Sequence, residues 1–333
     1  MNISYVFDDK FSDKFIVSAY SAAKNTRASV AIYIVDCGIS EKNKKKIIYL
    51  REKCENILSI KFGVPKRVEV LEKFPIADHF SSAVFYRLAI PKVFPKLRRV
   101  IYVDCDTIVD GDITTFWGEN LDGRPFGAVE AEGNFFDGKM RFSTRQRLGI
   151  TDERRYYSSG ALLIDCAKFK ESGIFQRVID QIKSTESFLR CPEQDAINMC
   201  LENSEHMPLS PVYNFSPFAP LARKCFKQNP NIVVIHYSMC KPWLTSKKLL
   251  KALHSIGLFR YSAAVVLKFW KYADEIGFSE VNRRSVSYTL NFLYKRTFQP
   301  LERFVSGKIR NKILNLMKNF RNMAACRKSC DKK

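Results

Sequence analysis

The chain has 333 residues, 46% of them hydrophobic, which excludes a disordered polymer and leaves room for one large α/β domain plus an extension. Ten cysteines stand without a Cys-x-x-Cys pair or zinc-type Cys/His spacing, so a zinc module is excluded and reduced thiols in a cytosolic setting are expected. The formal charge of +21 is uneven: from Thr245 onward 20 Lys and Arg face 5 Asp and Glu, whereas the first 244 residues hold 35 against 29.

Residues 2–7 read as a short strand running into Asp8 and Asp9, with no cleavable leader expected. A helix is expected over 15–23, a buried strand over 30–35, a charged helix near 40–55 and a strand over 58–62. Residues 81–93 read as a helix that Pro91 shortens or kinks. The apolar run 99–103 reads as a buried strand leading into Asp104-Cys105-Asp106. Further strands are expected over 126–129, 160–164 and 231–236, with helices near 166–183 and from Pro192. This alternation predicts an α/β fold, a mostly parallel sheet with helices on both faces, whose ligands bind beyond the carboxyl ends of the strands. No run reaches 18 apolar residues without charge; 255–273 is interrupted by Arg260, Lys268 and Lys271, so no membrane span is expected. A body over 1–244 and a basic, mainly helical extension over 245–333 are the expected domains.

Three pieces carry chemistry. Side chains at i and i+2 share one side of a strand, so Asp104 and Asp106 are expected to point together. Two hard anionic oxygens suit Mn2+ or Mg2+, and a metal so held commonly serves a phosphate. Asp-x-Asp also arises by chance, as Asp110-Gly111-Asp112 illustrates in a loop; the buried strand before Asp104 and the companion motifs favour the metal reading. The second piece is His236, delivered by a strand end, with Lys241-Pro242-Trp243 behind it: an imidazole that can complete the metal site and an ammonium suited to a diphosphate. The third is Glu193-Gln194-Asp195 at a helix start, where acidic residues also simply favour the helix dipole.

Together with Phe85-Tyr86-Arg87-Leu88, Asp112, Trp117 and Gly160-Ala161-Leu162-Leu163-Ile164, these motifs make the chain resemble a family 8 glycosyltransferase over residues 1–243, particularly the bacterial enzymes that extend lipopolysaccharide or lipooligosaccharide cores. The resemblance implies a GT-A fold (a Rossmann-like nucleotide-diphospho-sugar transferase), a UDP-sugar donor of glucose or galactose, Mn2+ and retention of anomeric configuration. It implies Asp104, Asp106 and His236 as metal ligands, and Asp8, Asp9, Phe11, Arg87, Ser158 and Lys241 on the donor. It further places His79 on the acceptor side, Gln194 opposite the leaving group, and Asp195 on the donor sugar's hydroxyls. Three departures stand out: Ser158 where the family has Asn, Glu193 where it has Asp, and no Gly in Ser238-Met239-Cys240. They admit a catalytically weak transferase-like scaffold as a second reading.

The cationic tail points to an anionic surface. Ile309, Ile313, Leu316, Met317 and Phe320 recur at helical spacing among Lys308, Arg310, Lys312, Lys318 and Arg321, after a Pro300 that can start a helix. Such a helix suits an anionic leaflet, so a cytoplasmic protein peripheral to the inner membrane and acting on a glycolipid acceptor is expected. A basic nucleic-acid-binding protein is the weaker alternative, because the charge avoids the body and no nucleic-acid motif is present.

Overall fold

The computed structural model describes residues 1–74, 81–131, 134–186, 189–238, 240–255, 260–277 and 289. The chain divides into two units, Met1–His236 and Tyr237–Lys333, against an expected boundary at 244.

Among the described residues, the first unit holds nine strands: β1 (Asn2–Phe7), β2 (Val30–Asp36), β3 (Ile57–Gly63), β4 (Arg99–Val103), β5 (Thr107–Val109), β6 (Phe126–Glu130), β7 (Tyr157–Asp165), β8 (His206–Leu209) and β9 (Val234–His236). Seven form one sheet in the order β3-β2-β1-β4-β7-β6-β8. Its neighbours are parallel except for β7, which runs antiparallel to both β4 and β6. The central strands are apolar almost throughout because both faces are covered, as parallel sheets require. On one face, Phe15 of the helix Ser12–Asn25 packs 4.8 Å from the rings of both Tyr5 and Phe7. At the edge, β3 is mostly half-buried or exposed and carries Lys61, a common way to blunt an open edge.

Several expectations need adjustment. The charged helix over 40–55 is divided at Tyr49 into Glu41–Ile48 and Leu50–Lys53. The Glu52 amide donates to the Tyr49 carbonyl three residues back, and this tighter turn interrupts the α-helical ladder. Residues Ser82–Ala89 form a 3-10 helix capped by Ser81, and only Ile90–Val93 is α-helical, with Pro91 in the first turn where its missing N–H costs nothing. The strand expected over 231–236 is confined to β9, which pairs with β5 in a separate two-stranded sheet. Reversed β7 brings its amino end, not its carboxyl end, to the rim where β4 finishes. Val103 lies opposite Ala161, and the Asp104 amide donates to the Gly160 carbonyl at 2.9 Å.

In the second unit, Pro242–Leu244 forms a 3-10 turn ahead of the helices Lys247–Ser255 and Arg260–Glu275. Trp270 donates its indole N–H to Thr245 Oγ1 at 3.1 Å, and Phe269 packs among Tyr237, Trp243 and Trp270. Among the described residues no helix is long and apolar enough to cross a membrane. The amphipathic stretch from Ile309 to Phe320 lies outside the described residues.

Candidate active site

Asp104 and Asp106 do not sit on one extended strand. β4 ends at Val103, and both carboxylates lie in the turn that leads into β5. Thr107 closes that turn by donating to the Asp104 carbonyl at 2.7 Å, and its hydroxyl lies 3.0 Å from Ser18 Oγ. The two side chains nevertheless converge. Pairing of β5 with β9 sets His236 opposite Thr107, and one ligand atom each from Asp104, Asp106 and His236 lies within 4.8 Å of the others. His236 Nε2 is 3.3 Å from Asp106 Oδ1 and 3.6 Å from Asp104 Oδ2.

The imidazole is oriented from behind. Asn214 donates its amide N–H to Ser158 Oγ at 2.9 Å, which turns its oxygen toward His236 Nδ1, also at 2.9 Å. Nδ1 therefore donates, and in the neutral ring the lone pair of Nε2 faces the carboxylates. Three electron-rich atoms aimed at one point are mutually repulsive unless a cation lies among them, and an outer partner that fixes the tautomer is characteristic of metal-bound histidine. The donor set, two carboxylate oxygens and an imidazole nitrogen, fits Mn2+ or Mg2+. Gly160 makes room for the ring: a Cβ there would stand 2.1 Å from His236 Cε1 and 3.2 Å from Asp104 Oδ2.

Arg87 lies behind the cluster, 5% exposed. Its Nη2 is 3.2 Å from Asp104 Oδ1, and Nη1 donates to the carbonyl and hydroxyl of Ser159 at 3.0 and 3.1 Å. Its Nε donates to the Val84 carbonyl and is 3.5 Å from Glu193 Oε1, an ion pair without the alignment of a hydrogen bond. Burial opposes the guanidinium's charge, yet Asp104 and Glu193 hold its pKa above the ordinary value. Burial pushes the Glu193 carboxyl up to about 7, with Arg87 pulling against it.

Gln194 and Asp195 open the helix Pro192–Cys200. The Gln194 oxygen accepts from the Ser159 amide at 2.9 Å, and its nitrogen donates to Tyr156 Oη at 2.8 Å. Asp195 is fully buried, with four donors from the chain: Arg147 twice, at 2.8 and 3.3 Å, Tyr156 Oη at 2.6 Å and the Cys191 amide at 3.0 Å. Among the donor-side candidates, Asp8 caps the turn Asp9–Phe11. Asp9 is already engaged, accepting from the Ser40 amide and the Asn43 side chain at 2.8 Å each, which lowers its pKa. Phe11 is partly exposed, with Lys14 Nζ 6.0 Å from its ring centroid. Lys241 belongs to the second unit, where its ammonium is 6.0 Å from the Trp243 ring centroid. His79 lies outside the described residues.

Sequence reasoning missed Asn214, Ser159, Tyr156 and Arg147 as parts of this site. Gly160 carried a usable signal, because a glycine inside an apolar strand often marks a close approach by another group.

Two carboxylates, a tautomer-fixed imidazole and a buried guanidinium thus meet at the rim of a Rossmann-like sheet, a set that could hold a divalent cation. The chain belongs to glycosyl transferase family 8, whose sequence profile matches residues 2–247, and it is a glycosyltransferase. General stress protein A of Bacillus subtilis is 28% identical over 241 residues, 66% of this chain and 78% of that protein. The lipopolysaccharide 1,2-glucosyltransferase of Escherichia coli is 25% identical over 254 residues, 73% of this chain and 72% of that protein. In fold, the chain is similar to the galactosyltransferase LgtC, solved in complex with donor and acceptor sugar analogues, with a TM-score of 0.64 and 23% identity. That match covers 83% of this chain and 96% of LgtC. The GT-A architecture expected of the resemblance is therefore present.

Proposed function

We propose that this enzyme moves glucose or galactose from a UDP-sugar to a saccharide of a lipopolysaccharide, lipooligosaccharide or related surface glycan, with retention at the anomeric carbon. The observation that carries the reading is the convergence of Asp104, Asp106 and His236 on one point, with Asn214 fixing the histidine tautomer. Those three residues would hold Mn2+ or Mg2+, which supplies Lewis-acid stabilisation of a departing diphosphate. The similarity to a lipopolysaccharide glucosyltransferase supports the acceptor class.

Within that reading, Asp8, Asp9 and Phe11 bind the nucleoside end of the donor, and Ser158 keeps Asn214 in place. Arg87 contributes fixed positive charge beside Asp104 and thereby favours the negative charge that builds on the diphosphate. His79 serves the acceptor. Gln194 is an amide and a poor nucleophile; it steadies the electron-poor sugar ring. The acceptor hydroxyl attacks on the face that UDP leaves, the C1–phosphate oxygen bond breaks, and the hydroxyl proton passes to the departing phosphate oxygen. Asp195, its oxygens taken by the chain, positions its neighbours.

A donor screen tests this: UDP release from UDP-glucose or UDP-galactose, dependent on Mn2+ and stimulated by bacterial core glycolipid. No release from any UDP-hexose would sink the donor assignment. The excess of 20 basic over 5 acidic residues from Thr245 onward motivates a location on the cytoplasmic face of the inner membrane. The full chain should sediment with vesicles containing phosphatidylglycerol, and not with neutral ones, at low salt; equal binding to both would remove that role.

A further inference from the structure

The hydrogen bonds around Gln194 have a direction that can be read atom by atom. Asp195 carries no proton donor when ionised, so Tyr156, 2.6 Å from its Oδ1, must give it the phenolic proton. Burial holds the Tyr156 pKa well above its ordinary value, so that proton is present. A phenol has one proton, so toward Gln194 it can only accept. The amide nitrogen therefore faces Tyr156, and the oxygen faces the Ser159 N–H and, at 3.4 Å, the Ser159 hydroxyl that Arg87 also contacts. At the far end, Arg147 grips Asp195 with both guanidinium nitrogens. Arg147 comes from the helix Gly138–Leu148, Tyr156 immediately precedes β7 and Gln194 comes from a third element, so the chain of bonds ties three segments into one orientation.

We infer that Tyr156, aligned by Asp195 and Arg147, is a positioning residue that, with the Ser159 N–H at the opposite end, holds the Gln194 carboxamide in one orientation. An amide can flip end for end at no covalent cost, and its two ends present opposite polarity. Without the phenol, nothing at that end distinguishes N–H from C=O. This rests on the transferase reading, in which Gln194 steadies the sugar ring.

The test uses the full chain and Tyr156→Phe, which keeps the ring and removes one hydroxyl. In isotope-labelled protein, the Gln194 side-chain amide resonances are assigned by their loss in Gln194→Ala. Tyr156→Phe should shift them and speed their exchange with solvent; unchanged resonances overturn the inference, whatever the enzyme's donor is. In kinetics with the UDP-hexose found in the donor screen, Tyr156→Phe should lower kcat roughly tenfold, about one hydrogen bond's worth, with KM little changed. In a Gln194→Ala background the same substitution should alter kcat by less than about twofold. An equal loss in both backgrounds marks Tyr156 as merely structural and overturns the inference while leaving the transferase reading intact. Arg147→Lys keeps the charge but loses the fork, and should show a smaller kcat loss that also vanishes without Gln194. Failure of the unaltered chain to release UDP from any hexose donor would sink the donor assignment alone, because the resonance test stands without turnover.

Discussion

Two groups of carboxylates lie close to one another in this enzyme and are built on opposite principles. Asp195 is saturated: four donors from the chain fill its oxygens, and nothing further is needed to bury it. Asp104 and Asp106 converge with the His236 imidazole on one point, while Asp104 also accepts from Tyr102 Oη and pairs with Arg87. Satisfaction marks a residue that holds the fold in register. Convergence of several ligand atoms on one point marks residues suited to something that arrives. An Asp in a sequence looks the same in either case.

Substitutions can break this comparison. Asp106→Ala should cut sugar transfer more than a thousandfold (above about 4 kcal/mol in barrier) and abolish the heat of Mn2+ binding in calorimetry. The metal-free melting temperature should move far less than in Asp195→Ala, because the substitution also relieves repulsion between two like charges. Asp195→Ala should do the reverse to stability. It strands the Arg147 guanidinium and the Tyr156 hydroxyl and should cost roughly 3–5 kcal/mol in urea unfolding. If the two variants gave the same profile, the distinction would be wrong.

His206 supplies a third case, a buried polar group with neither donors nor a cation. Both of its ring nitrogens lack a hydrogen-bond partner, its ring lies edge-on 3.6 Å from that of Tyr157, and burial pushes its pKa down to about 4. The unfolded chain takes up that proton near pH 6.5 and the folded one does not. Stability is therefore whole above pH 6.5 and is lost as the pH falls toward 4, by about 3 kcal/mol. His206→Phe should flatten that acid limb in chemical unfolding at pH 7, 5.5 and 4.5. The smallest expected effect sharpens the first site. Asn214→Ala frees the His236 ring and should weaken Mn2+ affinity about 10- to 100-fold.

Much of this was visible in the residues before any fold was known. Apolar runs that are buried on both faces announced β1, β2, β4 and β7, and β4 delivered the acidic pair. The reason given for their convergence was wrong in detail. The chain turns between them, and Thr107, not strand periodicity, sets the geometry. Strand direction was hidden, because a fully buried run such as Gly160 to Ile164 reads the same both ways. Asn214, Arg147 and Tyr156 were hidden for another reason: each acts on a residue 22 to 48 positions away, and no local spacing encodes such a pairing. Polar residues that finish a site from behind look like ordinary loop and helix composition.

The space left by Gly160 has an evolutionary consequence. The imidazole of His236 occupies the volume where any other residue's β-carbon would go, so positions 160 and 236 are not free to drift independently. A lineage that gains even an alanine at 160 must lose or move its histidine, and with it one of the three convergent side chains. The residues at these two positions should therefore vary together.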